Sequence, residues 1–155
     1  MIVKVRHASQ KDAAELLQMM CALWPLANPN ELRMENHEHL RHPTNHGFFV
    51  AENQEDGALL GFVEAALRST AEGCDSSPVG YVEAWYVKPE VRRKGIGELL
   101  IASAEEWSRL QGCSEIASDA EIENHLSIDV QKKLGFEETA RIVTFRRSLY
   151  SKSSA

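Results

Sequence analysis

Apolar and polar residues alternate with two different periods along this chain, and the places where the period changes mark its elements. Residues 2–6 alternate like a strand. Ser9 and Asp12 give a cap-like start to a helix in which Ala13, Leu16, Leu17, Met20 and Leu23 recur at helical spacing, closed by Pro25. A weaker helical pattern through Leu32, Met34 and Leu40 starts near Asn30 and stops before Pro43. GFFVAEN and ALLGFVEAALR flank the turn-rich QEDG, which predicts a hairpin. After the loop STAEGCDSSP comes VGYVEAWYV, rich in β-branched and aromatic residues, which predicts a central strand. Ile96, Leu99, Leu100, Trp107 and Leu110 share one helical stripe, and Gly112 sits where a C-terminal cap is expected. SEIAS predicts a short strand, NHLSIDVQKKLGF a second capped helix ending at Gly135, and EETARIVTFRRSL a final alternating strand.

A length of 155 residues suits one core and is short for two. The expected organisation is a single domain over residues 1–150 with a disordered tail at 151–155. No apolar stretch reaches the length needed to span a bilayer, and the first residues lack the pattern of a secretion signal, so a cytoplasmic, membrane-free protein is expected. Cys21, Cys74 and Cys113 are far apart and free of CxxC spacing, which reads as reduced thiols rather than a disulfide framework or a zinc knuckle. A formal charge of −6 argues against broad nucleic-acid binding and favours a cationic partner.

Within this acidic chain, VRRKGIG at 91–97 is a local exception. It joins a strand to a helix, and a helix start presents unpaired N–H groups with about half a positive charge. Arg92, Arg93 and Lys94 add cations, and Gly95 and Gly97 remove the Cβ atoms that would hold a large anion away. The spacing lacks the Lys-Ser/Thr ending of a nucleotide P-loop and the third glycine of a dinucleotide fingerprint. Taken alone, the motif reads either as an anion site or as a helix start with solvated basic residues.

The motif R-x-x-G-x-G after such a strand resembles the pyrophosphate-binding element of the GNAT superfamily of acyl-CoA-dependent N-acetyltransferases, and the similarity extends over nearly the whole chain. It implies an α/β (α+β) fold with a mixed, mostly antiparallel central sheet flanked by helices and splayed at an acetyl-CoA site. It implies acetyl-CoA as cosubstrate, with the backbone of Trp85, Tyr86 and Val87 against pantetheine and the thioester. Arg92, Arg93, Lys94, Gly95, Ile96, Gly97 and Glu98 would wrap the pyrophosphate, and Asn124 would bond the cofactor arm.

LWP at 23–25, GCDSSPVGYVEAWYV at 73–87, ASD at 117–119 and GFEET at 135–139 together resemble the bacterial aminoglycoside 6′-N-acetyltransferases. That similarity implies direct acetyl transfer to the 6′-amine of a polycationic sugar, conferring antibiotic resistance, by an enzyme that is often a homodimer and sometimes exchanges C-terminal strands. Glu83 and Asp119 would be its catalytic carboxylates, with Trp24 and Thr70 also at the substrate. The residues themselves leave alternatives. Alternation puts Glu83 on the face of Tyr81, Trp85 and Val87 in a buried strand, where a carboxylate is costly and needs either a salt bridge, such as one to Arg68, or a cationic amine. Asp119 is either an N-cap or a substrate carboxylate, and Trp24 either completes the core or meets the sugar rings.

The chain also departs from the pattern. Gln131 stands where a titrating tyrosine or histidine is usual, Thr70 and Phe145 stand in for tyrosines, and Ala140 for a glutamate. A GNAT enzyme for another cationic amine, or a catalytically silent acetyl-CoA-binding module, are the rival readings. His37, His39, His42 and His46 lack a completing cysteine or carboxylate at a known spacing; they read as decoration of a polar helix end or an edge of the substrate cleft, and no metal is expected.

Overall fold

The computed structural model describes residues 1–150; the expected disordered tail at 151–155 lies outside the described residues. Five strands, β1 (Val3–His7), β2 (His46–Asn53), β3 (Leu59–Arg68), β4 (Val79–Val87) and β5 (Ile116–Ala117), form one sheet in chain order. β1 to β4 pair antiparallel and β5 joins β4 in parallel, so the sheet is mixed and mostly antiparallel, as expected. Among the described residues four α-helices accompany it: α1 (Ala13–Leu23), α2 (Pro29–Arg41), α3 (Ile96–Leu110) and α4 (His125–Lys133). Among the described residues no helix is long and apolar enough to cross a membrane.

Period-two alternation gives the sheet two apolar faces. Phe49, Ala51, Val63, Ala65 and Val82 pack with Ile96, Leu100, Ala104 and Trp107 of α3, while Phe48, Val50, Phe62 and Ala84 pack with Leu16, Met19, Met20 and Leu32 of α1 and α2. Two glycines set the spacing of the α3 layer. A Cβ on Gly47 would lie 2.5 Å from Trp107 Cδ2, and one on Gly80 would collide with Ser108. The stripe on α3 is narrower than the sequence suggests: Leu99 and Leu110 are exposed, and Ile101 and Ala104 take the buried positions.

Polar contacts fasten the ends of several elements. Arg6 forks onto Asp12 at 2.8 Å through both terminal nitrogens and also reaches Glu52. Asp12 accepts the Ser9 N–H in turn, so the capping box read from the sequence is present and lies over the β1–β2 edge. Asn28 caps α2 by accepting from the Asn30 and Glu31 amides, and Asn124 caps α4 by accepting from Ser127.

The final strand expected at 137–149 is absent: residues 136–149 carry no regular structure, and Ile142, Val143, Phe145 and Leu149 are exposed. Alternation makes a strand possible, but a strand forms on a pairing edge, and this segment pairs with no strand of the described residues. SEIAS contributes two strand residues, Ile116 and Ala117, rather than five.

Candidate active site

The sheet opens where β5 stops. β5 pairs with β4 at Gly80 and Tyr81 and no further, so β4 from Val82 onward has a free edge on that side. The Lys88 N–H donates to the Leu60 carbonyl at 2.9 Å. Antiparallel alternation then engages Tyr86 and Ala84 with β3 and turns the backbone N–H and C=O of Trp85 and Val87 toward the opening. Of the three expected backbone contacts, Trp85 and Val87 therefore face the gap, whereas the Tyr86 amide is used within the sheet.

The basic bend lies at the mouth of this gap. Leu99 N to Gly95 O opens the α3 ladder, so the amides of Ile96, Gly97 and Glu98 precede the first intrahelical bond, and Gly95 has no side chain to cap them. Arg93 and Gly95 hold positive φ angles of 62° and 81°, which turns successive amides outward ahead of the helix. Arg92 Nε donates to the Val87 carbonyl at 2.7 Å and the guanidinium sits 5.6 Å from the Tyr86 ring centroid, clipping the bend onto the strand. A Cβ on Gly97 would approach Trp85 Cζ2 at 2.9 Å, so the residue is also small to let the helix start lie on the strand. Asn124 is occupied through its oxygen as the α4 cap, leaving its amide nitrogen as the group for a ligand.

On the opposite face of the sheet, a cleft of about 360 Å³ is lined by Trp24, Glu35, Asn36, His39, His46, Glu64 and Glu83 among others. A bulge on β4 shapes it. Ala65 faces Val82 and Glu64 faces Ala84, which leaves Glu83 as an extra residue. The bulge corrects the expected face: Glu83 shares the side of Tyr81, while Trp85 and Val87 point to α3. Glu83 is exposed, and Arg68 holds it with two bonds of 2.9 and 2.8 Å, the salt bridge offered as its alternative explanation.

Arg68 also lies over the Tyr81 ring, 3.4 Å from its centroid, and Tyr81 Oη donates to Asp119 Oδ2 at 2.6 Å. Asp119 is not an N-cap; Asn124 has that place. Burial, then the bond to Asp119, pushes the Tyr81 hydroxyl up to about 12, so it remains a donor. Gln131 Nε2 reaches the Asp119 carbonyl at 3.3 Å and Ser127 Oγ at 3.2 Å. Trp24 ends α1, 38% exposed, at the cleft wall. Thr70 is exposed in the loop after β3 and does not line the cleft.

GCDSSP and GFEET turn out to be joined by structure. Glu115 accepts from the Asp75 and Ser76 amides at 2.9 Å, and a Cβ on Gly73 would collide with Thr139, whose hydroxyl reaches the Glu72 carbonyl at 3.4 Å. Burial pushes the thiols of Cys74 and Cys113 up, which disfavours a thiolate nucleophile at either.

The residue that sequence reasoning missed is Glu64. Its carboxylate is buried between His39 and His46, bonding His39 Nδ1 directly and lying 3.5 Å from His46 Nδ1. The bond to Glu64 raises the His39 pKa against the cost of burial, and burial, then His39, lowers that of His46. These two histidines are the edge of the cleft rather than decoration of a helix end; His42, by contrast, pairs with Glu38 on the surface.

The chain matches the Acetyltransferase (GNAT) family over residues 13–136. It is 43% identical over 134 residues to an aminoglycoside N(6')-acetyltransferase type 1 of Serratia marcescens, covering 86% of this chain and 90% of that protein. It is 39% identical to the enzyme of the same name from Klebsiella aerogenes, covering 94% and 96% respectively. A solved structure of AAC(6')-Iy, in complex with the bisubstrate analogue CoA-S-monomethyl-acetylneamine, superposes with a TM-score of 0.89 at 32% identity, over 96% of this chain and 99% of that one.

Proposed function

This chain belongs to the acetyltransferase (GNAT) family, and from that premise we propose that it transfers the acetyl group of acetyl-CoA to the 6′-amine of aminoglycosides. The observation that carries this reading is the pairing of two unlike sites across one sheet: a cationic, uncapped helix start beside a free strand edge, and a carboxylate-lined cleft beyond it. The names of the relatives supply the amine, a polycationic sugar that such a cleft suits.

The residues fit a pyrophosphate-bearing thioester. The amides of Ile96, Gly97 and Glu98, with the side chains of Arg92, Arg93 and Lys94, would hold the diphosphate. The backbone of Trp85 and Val87 would bond the pantetheine arm as an added strand, and an N–H there would steady the carbonyl oxygen. Acetyl-CoA supplies an activated acyl group when bound. Asp119, its Oδ2 fixed by Tyr81, would orient the ammonium, and Glu83, fixed by Arg68, would accept its proton through water so that a free amine is available to attack. Trp24 would lie against the sugar rings.

Two further elements belong to the same reading. The protein works in the cytoplasm, where acetyl-CoA is made, and it is a homodimer in which the exposed Ile142, Val143, Phe145 and Leu149 pair with a second copy. The test is a free-thiol assay with acetyl-CoA and aminoglycosides bearing or lacking the 6′-amine. Thiol release with both sets overturns the regioselectivity; release with a polyamine alone favours another amine; coenzyme A binding without release for any amine makes the chain a binding module.

A further inference from the structure

The cleft floor contains an arrangement that acetyl transfer does not use. His39 in the last turn of α2, His46 at the start of β2 and Glu64 on β3 bring Nδ1, Nδ1 and a carboxylate oxygen within 4.8 Å of one another. Register explains the pairing on the sheet: Phe48 faces Glu64 and His46 faces Ala66, so His46 and Glu64 are diagonal neighbours on one face. The two imidazoles stack with centroids 4.0 Å apart and planes 16° apart, and both Nδ1 atoms lie beside the same Glu64 oxygen, Oε1.

We propose that His39, His46 and Glu64 are three ligands for a divalent first-row transition cation, with a further coordination position open to the cleft. Three observations support it. Both Nδ1 atoms are inaccessible to solvent; His39 Nδ1 meets Glu64, and His46 Nδ1, 3.5 Å from the same carboxylate, has no hydrogen-bond partner among the described residues. Two imidazole nitrogens and one buried carboxylate are the donor set of a His₂-Glu zinc site, in which Zn–N distances of about 2.0–2.1 Å place neighbouring ligand atoms about 3.3 Å apart. The His46 Nδ1 to Glu64 spacing of 3.5 Å is already close to that value. The position also favours positive charge: it lies at the C-terminal, negative end of a 13-residue helix, and Glu35 and Glu83 also line the cleft.

The bound cation would take the place of the proton that His39 and Glu64 share, and would make the floor of the cleft more positive. If the acetyl-transfer reading holds, metal binding therefore competes with the cationic amine and leaves acetyl-CoA binding unaffected. Metal binding itself does not depend on that reading.

The test uses the full chain in a non-chelating buffer, with ZnCl₂ followed by calorimetry and CoCl₂ followed by visible absorption. One equivalent of zinc is expected to bind, and cobalt is expected to give the intense d–d bands of a low-coordinate site without a thiolate charge-transfer band. His46→Asn and His39→Asn, both at element ends, are each expected to weaken zinc binding at least about tenfold, with circular dichroism of the metal-free variants checking that both remain folded. No binding by the unmodified chain overturns the proposal. So does zinc binding that both variants leave intact, or a cobalt spectrum carrying a thiolate band, which would put the metal on a cysteine. A failed acetyl-transfer assay with intact zinc binding would remove the competition and leave the site.

Discussion

Tyr81 donates its hydroxyl to Asp119 while its ring carries the guanidinium that grips Glu83, so one aromatic residue links Asp119 to the cleft carboxylate Glu83. Neither carboxylate is an independent group. Removing the Tyr81 hydroxyl leaves Asp119 in place without its fixed orientation, and a hydrogen bond to a charged group is worth about 1.5–3 kcal/mol. Tyr81→Phe is expected to lower kcat/KM about tenfold and Asp119→Asn about a hundredfold, with the double variant close to Asp119→Asn alone. Steady-state kinetics on the four proteins check this; simple multiplication of the two losses would separate the residues. With the hydroxyl held near 12, its bond persists below that pH, and the pH profile should show no limb lost to Tyr81→Phe between pH 6 and about 10.

Much of this arrangement was legible in the sequence, because helical periods, caps and the hairpin are local. The strands β1 to β4, the N-terminal capping box and the helix start at Gly95 follow from spacing within a few residues. The Glu83 bulge does not, since YVEAWYV alternates without interruption and the extra residue exists through register with β3. A carboxylate inside an apolar strand must be compensated, and this holds most strongly for Glu64 in LLGFVEAAL, which is 6% exposed, whereas Glu83 is exposed and paired with Arg68. The partners of Glu64 come from two other elements, and no window of sequence shows them together.

Gly95 and Gly97 should fail for different reasons. Gly95 holds φ 81° with open space around it, so Gly95→Ala strains the backbone by about 1–2 kcal/mol. It is expected to lower Tm by a few degrees and to weaken coenzyme A binding by about tenfold as the outward amides turn. In Gly97→Ala the new methyl meets Trp85 and lifts the helix start from the strand. Trp85→Ala should restore coenzyme A affinity in the Gly97→Ala background and not in Gly95→Ala, as calorimetry can read.

The Arg6–Asp12–Glu52 cluster should govern acid stability. Burial works to raise the Asp12 pKa, and the bonds from Arg6 and Ser9 outweigh it, so the folded-state value falls below the ordinary carboxylate range. Its stabilisation is complete above the unfolded value, near 3.9, and is lost as pH falls through the lower folded value. Asp12→Asn should cost about 2–4 kcal/mol at pH 7, because it leaves a half-buried guanidinium short of a partner, and should flatten the stability curve below pH 4. Urea midpoints from pH 7 to pH 2.5 measure both effects.

Gln131 decides whether this chain needs a side-chain acid for its leaving thiolate. Its carboxamide cannot titrate, and its nitrogen is already engaged by the Asp119 carbonyl and Ser127. A thiol with pKa near 8.5 leaves adequately as thiolate at neutral pH, so proton donation from the enzyme is dispensable on energetic grounds. Gln131 then acts by holding the backbone at Asp119, and Gln131→Ala should lower kcat by about threefold or less without changing the pH profile. Gln131→His should introduce a titrating group at that position and add a limb near pH 6.5 to kcat. A loss of about a hundredfold in Gln131→Ala would assign the carboxamide a direct part in the transfer, and the pH–rate profiles of the two variants distinguish these roles.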